Sequence, residues 1–280
     1  MREHHIDTNG IRLHVTDQGT GPLVILCHGW PELAYSWRHQ IRALAAAGYR
    51  VVAPDMRGYG RSDAPDDVNA YSILHLVGDM VGLVHACGER QAIIVGHDWG
   101  GALAWHLGAH HPERVRSLTV LSTPHPAAMA SSMTRSLQPL RSWYTVAVQV
   151  PLLPEIVLSR TLAPALRLSG LPEDLAAGYA ARLGTPTAVR GPLAWYRAAG
   201  RRPPWELLGA GGPGADVIGV PTTYLWGRHD PALGRAAAEA TADHVHGDYL
   251  FRELDAGHWL PELHPHEVGG AVLDRVQHAA

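Results

Sequence analysis

The chain has 280 residues, enough to bury a large core with room for an inserted segment. Hydrophobic residues make up 46% and charged residues 18%, an ordinary globular composition. A formal net charge of -3 leaves no basic excess to neutralise phosphates, which argues against a nucleic-acid or anionic-membrane partner. The two cysteines, Cys27 and Cys87, form neither a disulfide framework nor a zinc-type spacing, which fits a reducing compartment. The stretch MREHHIDTNG has no apolar h-region, and no apolar run is long enough to span a bilayer. The expectation is a cytoplasmic enzyme or binding protein with no membrane span, as a monomer or homodimer.

The first signal along the chain is Asn9-Gly10 between two alternating segments, which predicts a hairpin. PLVILCHGW reads as a short apolar strand running into a loop, with Cys27 in the core. YSWRHQIRALAAAG reads as an amphipathic helix closed by Gly48. Then come a strand and Gly-rich loop (YRVVAPDMRGYGRSDAP), a helix (YSILHLVGDMVGLVHACG), a strand (QAIIVG), a helix (GGALAWHLGAHHPE) and a strand (RVRSLTVLST). This alternation predicts βαβ units and a parallel sheet. From about Pro124 to Gly219 no apolar strand stands out, and the periodicity is helical. Alternation resumes with VPTTYLWG, GRAAAEATADHV, DYLFRELDAG and PELHPHEVGGAVLDRVQ. The fold class is therefore α/β: a doubly wound, mostly parallel sheet over residues 1–124 and 219–280, with a helical cap inserted at 125–218.

Functional residues in such sheets gather where strands end. After AIIV stands G-x-D-x-G, with Asp98 between Gly96 and Gly100. A strand that turns sharply into a helix between glycines commonly presents a serine nucleophile; here it presents a carboxylate. Side chains at Gly96 or Gly100 would crowd that strained turn. After TTYLWG comes Asp230, and after YLFRELDAG comes His258. The chain order is nucleophile, acid, histidine.

HGWPE, PDMRGYGRSDAP, GHDWGG, WGRHDP and AGHWLPEL occur in that order, each after a predicted strand. On these five motifs the chain resembles an α/β-hydrolase of the epoxide hydrolase type, related to haloalkane dehalogenases. The resemblance covers nearly the whole chain, although epoxide hydrolases often carry Phe where Trp30 stands. It implies that Asp98 attacks a saturated carbon to form an alkyl ester. His258, oriented by Asp230, activates the water that cleaves it. Backbone amides of Trp30 and Trp99 form the oxyanion hole. Trp30, Pro31, Trp99 and Trp259 line the substrate site, and the Trp30-Pro31 bond is a candidate cis peptide. The two lid tyrosines of such enzymes map to Tyr144 in SWYTVAVQVPLLPE and Tyr196 in GPLAWYRAA. A phenol stays protonated at neutral pH and can donate to an epoxide oxygen. The implied reaction converts a small-molecule epoxide and water to a vicinal diol, with neither cofactor nor metal.

Two other readings stay open. A haloalkane dehalogenase would use the same aspartate, but a halide needs indole or amide donors, and the dehalogenases usually place Asn or Glu where Trp30 stands. A non-catalytic ligand-binding scaffold is the reading from another class, and the intact set of Asp98, Asp230 and His258 weighs against it. GAGGPG at Gly209 lacks the strand–helix context of a dinucleotide site and reads as a connector. His264 and His266 read as solvated surface residues. DMRGYGRSDAP reads as a structural loop held by Asp55 and Arg57.

Overall fold

Asn9 and Gly10 both take positive φ, 45° and 75°, and close a hairpin between β1 (Arg2–Thr8) and β2 (Ile11–Gln18). This geometry comes from a computed structural model that describes residues 1–201 and 217–278. The remaining strands are β3 (Leu23–Cys27), β4 (Arg50–Pro54), β5 (Ala92–His97), β6 (Val115–Leu121), β7 (Thr222–Gly227) and β8 (Tyr249–Leu254). They form one eight-stranded sheet in the order β1-β2-β4-β3-β5-β6-β7-β8. β2 runs antiparallel to β4, and every pairing from β4 to β8 is parallel.

The strand β3 shows why the sheet is covered on both faces. All five of its residues are buried. Leu23, Ile25 and Cys27 pack into one apolar cluster, while Val24 and Leu26 pack into the other, as a period of two requires. The first face carries α2 (Ile73–Ala86) and α3 (Trp99–His110); the second carries α1 (Arg38–Ala46) and α12 (Pro265–His278). PELHPHEVGGAVLDRVQ reads in sequence as one helix, but Pro265 cannot continue one. The chain instead forms a short α11 (Leu260–Leu263), a break at His264, and then α12.

Between β6 and β7 the described residues form α4 (Pro126–Arg135), α5 (Gln138–Arg141), α6 (Tyr144–Ala147), α7 (Leu153–Leu168), α8 (Glu173–Leu183) and α9 (Pro186–Gly200). Only helices occur in 125–201, as the periodicity predicts. GAGGPG lies outside the described residues. Ile218, fully buried, already bridges to Val245, so the sheet layer resumes one residue before the expected boundary. After β7 comes α10 (Arg235–Ala240). The loop at 55–63 is held as expected. Asp55 accepts from the amides of Ala34 and Arg61, and Arg57 forms a buried ion pair with Asp79. The indole of Trp195 on α9 donates to the Arg57 carbonyl at 2.9 Å, tying the inserted helices to that loop.

Candidate active site

Asp98 caps the junction of β5 and α3 with φ 51° and ψ -119°, a conformation that costs a non-glycine residue energy and persists only where the surroundings enforce it. The glycines around it show how. A Cβ on Gly96 would overlap the Gly100 carbonyl, one on Gly100 the Cys27 carbonyl, and one on Gly29 the side chain of Asp98 itself. β3, β5 and α3 therefore approach closely only because these three positions lack side chains.

The carboxylate oxygens of Asp98 are differentiated. Oδ1 accepts from the Trp30 amide at 2.8 Å, and Oδ2 lies 3.7 Å from His258 Nε2. The Trp30-Pro31 peptide that presents this amide is cis. Trp99 is the first residue of α3, where a backbone N–H has no partner within the helix. On the far side of the imidazole, His258 Nδ1 donates to Asp230 Oδ2 at 2.7 Å. Asp230 Oδ1 is fixed in turn by the amides of Ala232 and Leu233, at 2.8 and 2.9 Å. Burial disfavours the imidazolium, but the charge and hydrogen bond of Asp230, with the charge of Asp98, outweigh it. His258 is pushed up to about 9 from 6.5.

Tyr144 and Tyr196, 52 residues apart in sequence, come together with ring centroids 6.0 Å apart, edge to face. The Tyr196 ring also stands edge-on to Trp99 at 5.0 Å. Burial raises both phenols, and the charge of Asp98 raises them further; a hydrogen bond from the Trp99 side chain opposes the rise at Tyr196. Both are thus kept as proton donors next to a carboxylate. Trp259 is placed differently: its ring packs edge-on against His258 at 5.3 Å while its indole N–H donates to the Ser169 carbonyl at 3.1 Å, joining the histidine loop to the end of α7. Beyond Trp99 and Trp195 lies a cavity of about 550 Å³ with a mainly apolar lining that includes Ile73, Met129, Met133 and Leu233.

Residues 22–265 match the family described as the alpha/beta hydrolase fold. The chain belongs to that family. This hydrolase is 37% identical to the AB hydrolase superfamily protein YfhM of Bacillus subtilis, covering 96% of each chain. It is 36% identical to Epoxide hydrolase A of Mycobacterium tuberculosis, covering 97% of this chain and 96% of that one. Among solved structures, epoxide hydrolase A from Mycobacterium thermoresistibile superposes with a TM-score of 0.84 at 33% identity, covering 99% of this chain and 98% of that one.

The hydrolase has a second layer that motif reading missed. Glu32, the last residue of HGWPE, and His97, in GHDWGG, are both fully buried. His97 Nδ1 lies 2.7 Å from Glu32 Oε2, and Nε2 lies 2.9 Å from the backbone carbonyl oxygen of His258. Glu32 also accepts from the Gly29 amide at 3.1 Å. One carboxylate thus braces both the turn carrying the Trp30 amide and the loop carrying His258. The signal lay inside the quoted motifs, but both residues read as spacers until the fold paired them.

Proposed function

We propose that this α/β-hydrolase is an epoxide hydrolase, with residues 125–218 as the cap over the core. The observation that carries the reading is the pair of phenols, Tyr144 half-buried and Tyr196 buried, beside the Asp98 carboxylate. An opening epoxide leaves as an alkoxide and needs a proton; a halide does not.

Asp98 Oδ2 attacks one epoxide carbon, and the ring C–O bond breaks. Its electron pair stays on the epoxide oxygen, which takes a proton from Tyr144 or Tyr196. Oδ1 becomes the ester carbonyl oxygen, already held by the Trp30 amide. Esterification removes the Asp98 charge, and with it one of the influences raising His258. The imidazolium then passes its proton to the tyrosinate left by ring opening, and the neutral imidazole takes one from water. That water attacks the ester carbonyl carbon. Charge develops on Oδ1 opposite the amides of Trp30 and Trp99. Collapse expels the diol oxygen, which takes the proton of the new carboxyl group; Asp98 is again a carboxylate, and His258 keeps the proton taken from water and is charged as at the start.

Trp30, Pro31 and Trp99 form walls of the substrate site, and Trp259 acts through its packing on His258. No helix among the described residues is long and apolar enough to cross a membrane. Two free, buried cysteines fit a cytoplasmic setting.

The test is the intact mass of the His258→Gln variant after exposure to aryl epoxides, aliphatic epoxides and haloalkanes. A gain equal to a whole epoxide, lost in Asp98→Ala, is the expected result. A gain equal to a haloalkane less its hydrogen halide would make the protein a dehalogenase. No adduct from any panel member, with ligand binding unchanged in Asp98→Ala, would favour a binding scaffold.

A further inference from the structure

The helices α5 and α6 are amphipathic in the reverse of the usual sense. Their inner side carries Gln138 and Ser142, both buried, with the Gln138 amide donating to Ser142 Oγ and the Ala232 carbonyl. Their outer side carries Leu137, Leu140, Trp143 and Val146, exposed by 72, 71, 67 and 74%. A spacing of three or four continues through Val150, Leu153 and Ile156, all exposed. A run of large apolar residues on one solvent-facing side marks an interaction surface. Leu152, also exposed, sits at φ 65°, so the backbone strains to hold a leucine outward.

Charge identifies the occupant. Over residues 125–201 there are eight arginines against Glu155, Glu173 and Asp174, a surplus of five positive charges in a chain whose total is -3. Around the apolar face the imbalance sharpens. Its one carboxylate, Glu155, is buried against Arg197 at 2.6 Å. Arg141 donates to the carbonyls of Asp230 and Pro231 and keeps its charge. Exposed Arg135 and Arg160 have no carboxylate partner among the described residues. A second copy docked through this face would bring like charges together. A surface that is apolar beneath and anionic above satisfies both features.

We propose that the outer face of residues 137–157 seats peripherally on an anionic lipid surface. The leucines and valines enter the acyl boundary, Trp143 lies at headgroup depth, and Arg135, Arg141 and Arg160 meet the phosphates. The expectation against an anionic-membrane partner rested on net charge, which averages a positive cap with a negative core. Met133, one turn before Leu137, also lines the apolar cavity, so that cavity adjoins the docking face.

The test is co-sedimentation of the full chain with vesicles of phosphatidylcholine, alone or mixed with phosphatidylglycerol, at about 0.1 M and about 1 M salt. The protein pellets with the mixed vesicles at low salt, and pelleting falls at high salt. Leu140→Ser with Trp143→Ser lowers the partition coefficient about tenfold or more. Arg135→Gln with Arg160→Gln lowers it independently, and both variants still hydrolyse a water-soluble epoxide. No partition into mixed vesicles, or partition equal in wild type and both variants, overturns the proposal. So does a concentration-dependent dimer, seen by light scattering, that Leu140→Ser with Trp143→Ser dissolves; the face would then bind a second copy.

Discussion

His258 Nε2 stands 3.7 Å from Asp98 Oδ2, close enough for each charge to govern the other and too far for a hydrogen bond. Asp98 helps to hold the imidazole in its charged form at neutral pH. Asp98→Asn removes that contribution and leaves Asp230 in place. The His258 titration, followed by NMR of the ring, moves below about 9 in this variant. Stability follows the same linkage. The folded state holds the His258 proton more tightly than the unfolded state, so the associated stability is present below 6.5 and is lost as pH rises through about 9. Unfolding midpoints in urea should fall across that window in wild type and fall less in His258→Gln.

The tyrosines are separable by kinetics. Tyr196→Phe and Tyr144→Phe each remove one proton donor and leave the Asp98–His258–Asp230 geometry alone. In a single turnover, each slows ester formation by roughly a hundredfold or more, with ester hydrolysis changed far less. The double variant stops ring opening. Ester formation at the wild-type rate in Tyr144→Phe would leave Tyr196 as the sole proton donor and Tyr144 as its packing partner.

Asp98, Asp230 and His258 were legible in the sequence because each follows a strand, and the elbow carries its own steric signature in Gly96 and Gly100. The hairpin was legible because Asn9-Gly10 is a local conformational requirement. Glu32 and His97 were not, since their meaning depends on a contact across 65 residues. The 137–157 stretch shows a different limit. Its apolar spacing of three or four predicts helix, but periodicity cannot tell which side faces the core. Here Gln138 and Ser142 turn inward and Leu140 and Trp143 outward. Trp259 matched a motif, yet only its bond to Ser169 shows that it joins the core to the cap helices.

Gly100 offers a test of close packing at the elbow. An added Cβ would press on the backbone carbonyl of Cys27, at the end of β3, and neither neighbour is a flexible side chain. Gly100→Ala should destabilise the fold by about 3 kcal/mol. Relief of the overlap pushes apart β3, which leads into the turn carrying the Trp30 amide bonded to Asp98, and α3, which starts at Trp99. Ester hydrolysis should therefore slow along with the loss of stability. Gly270→Ala, on α12 with open space at its Cβ, serves as the control: it should raise stability by about 0.5–1 kcal/mol and leave ester hydrolysis unchanged.

Glu32 is the most informative residue outside the set of Asp98, Asp230 and His258. Its carboxylate is fully buried, and its contacts with His97 and the Gly29 amide outweigh desolvation, holding it below the usual carboxylate range. Glu32→Ala leaves the His97 ring and the Gly29 amide without their acceptor, which should cost about 3–5 kcal/mol in denaturant unfolding. Glu32→Gln keeps an acceptor oxygen and loses the charge, so its cost in stability should be smaller. The charge of Glu32 also helps raise His258, so Glu32→Gln should lower the His258 titration even where the fold is intact. A purely structural Glu32 would lower stability and leave that titration where it was. The comparison of unfolding midpoint with His258 titration in the same variant decides between the two roles.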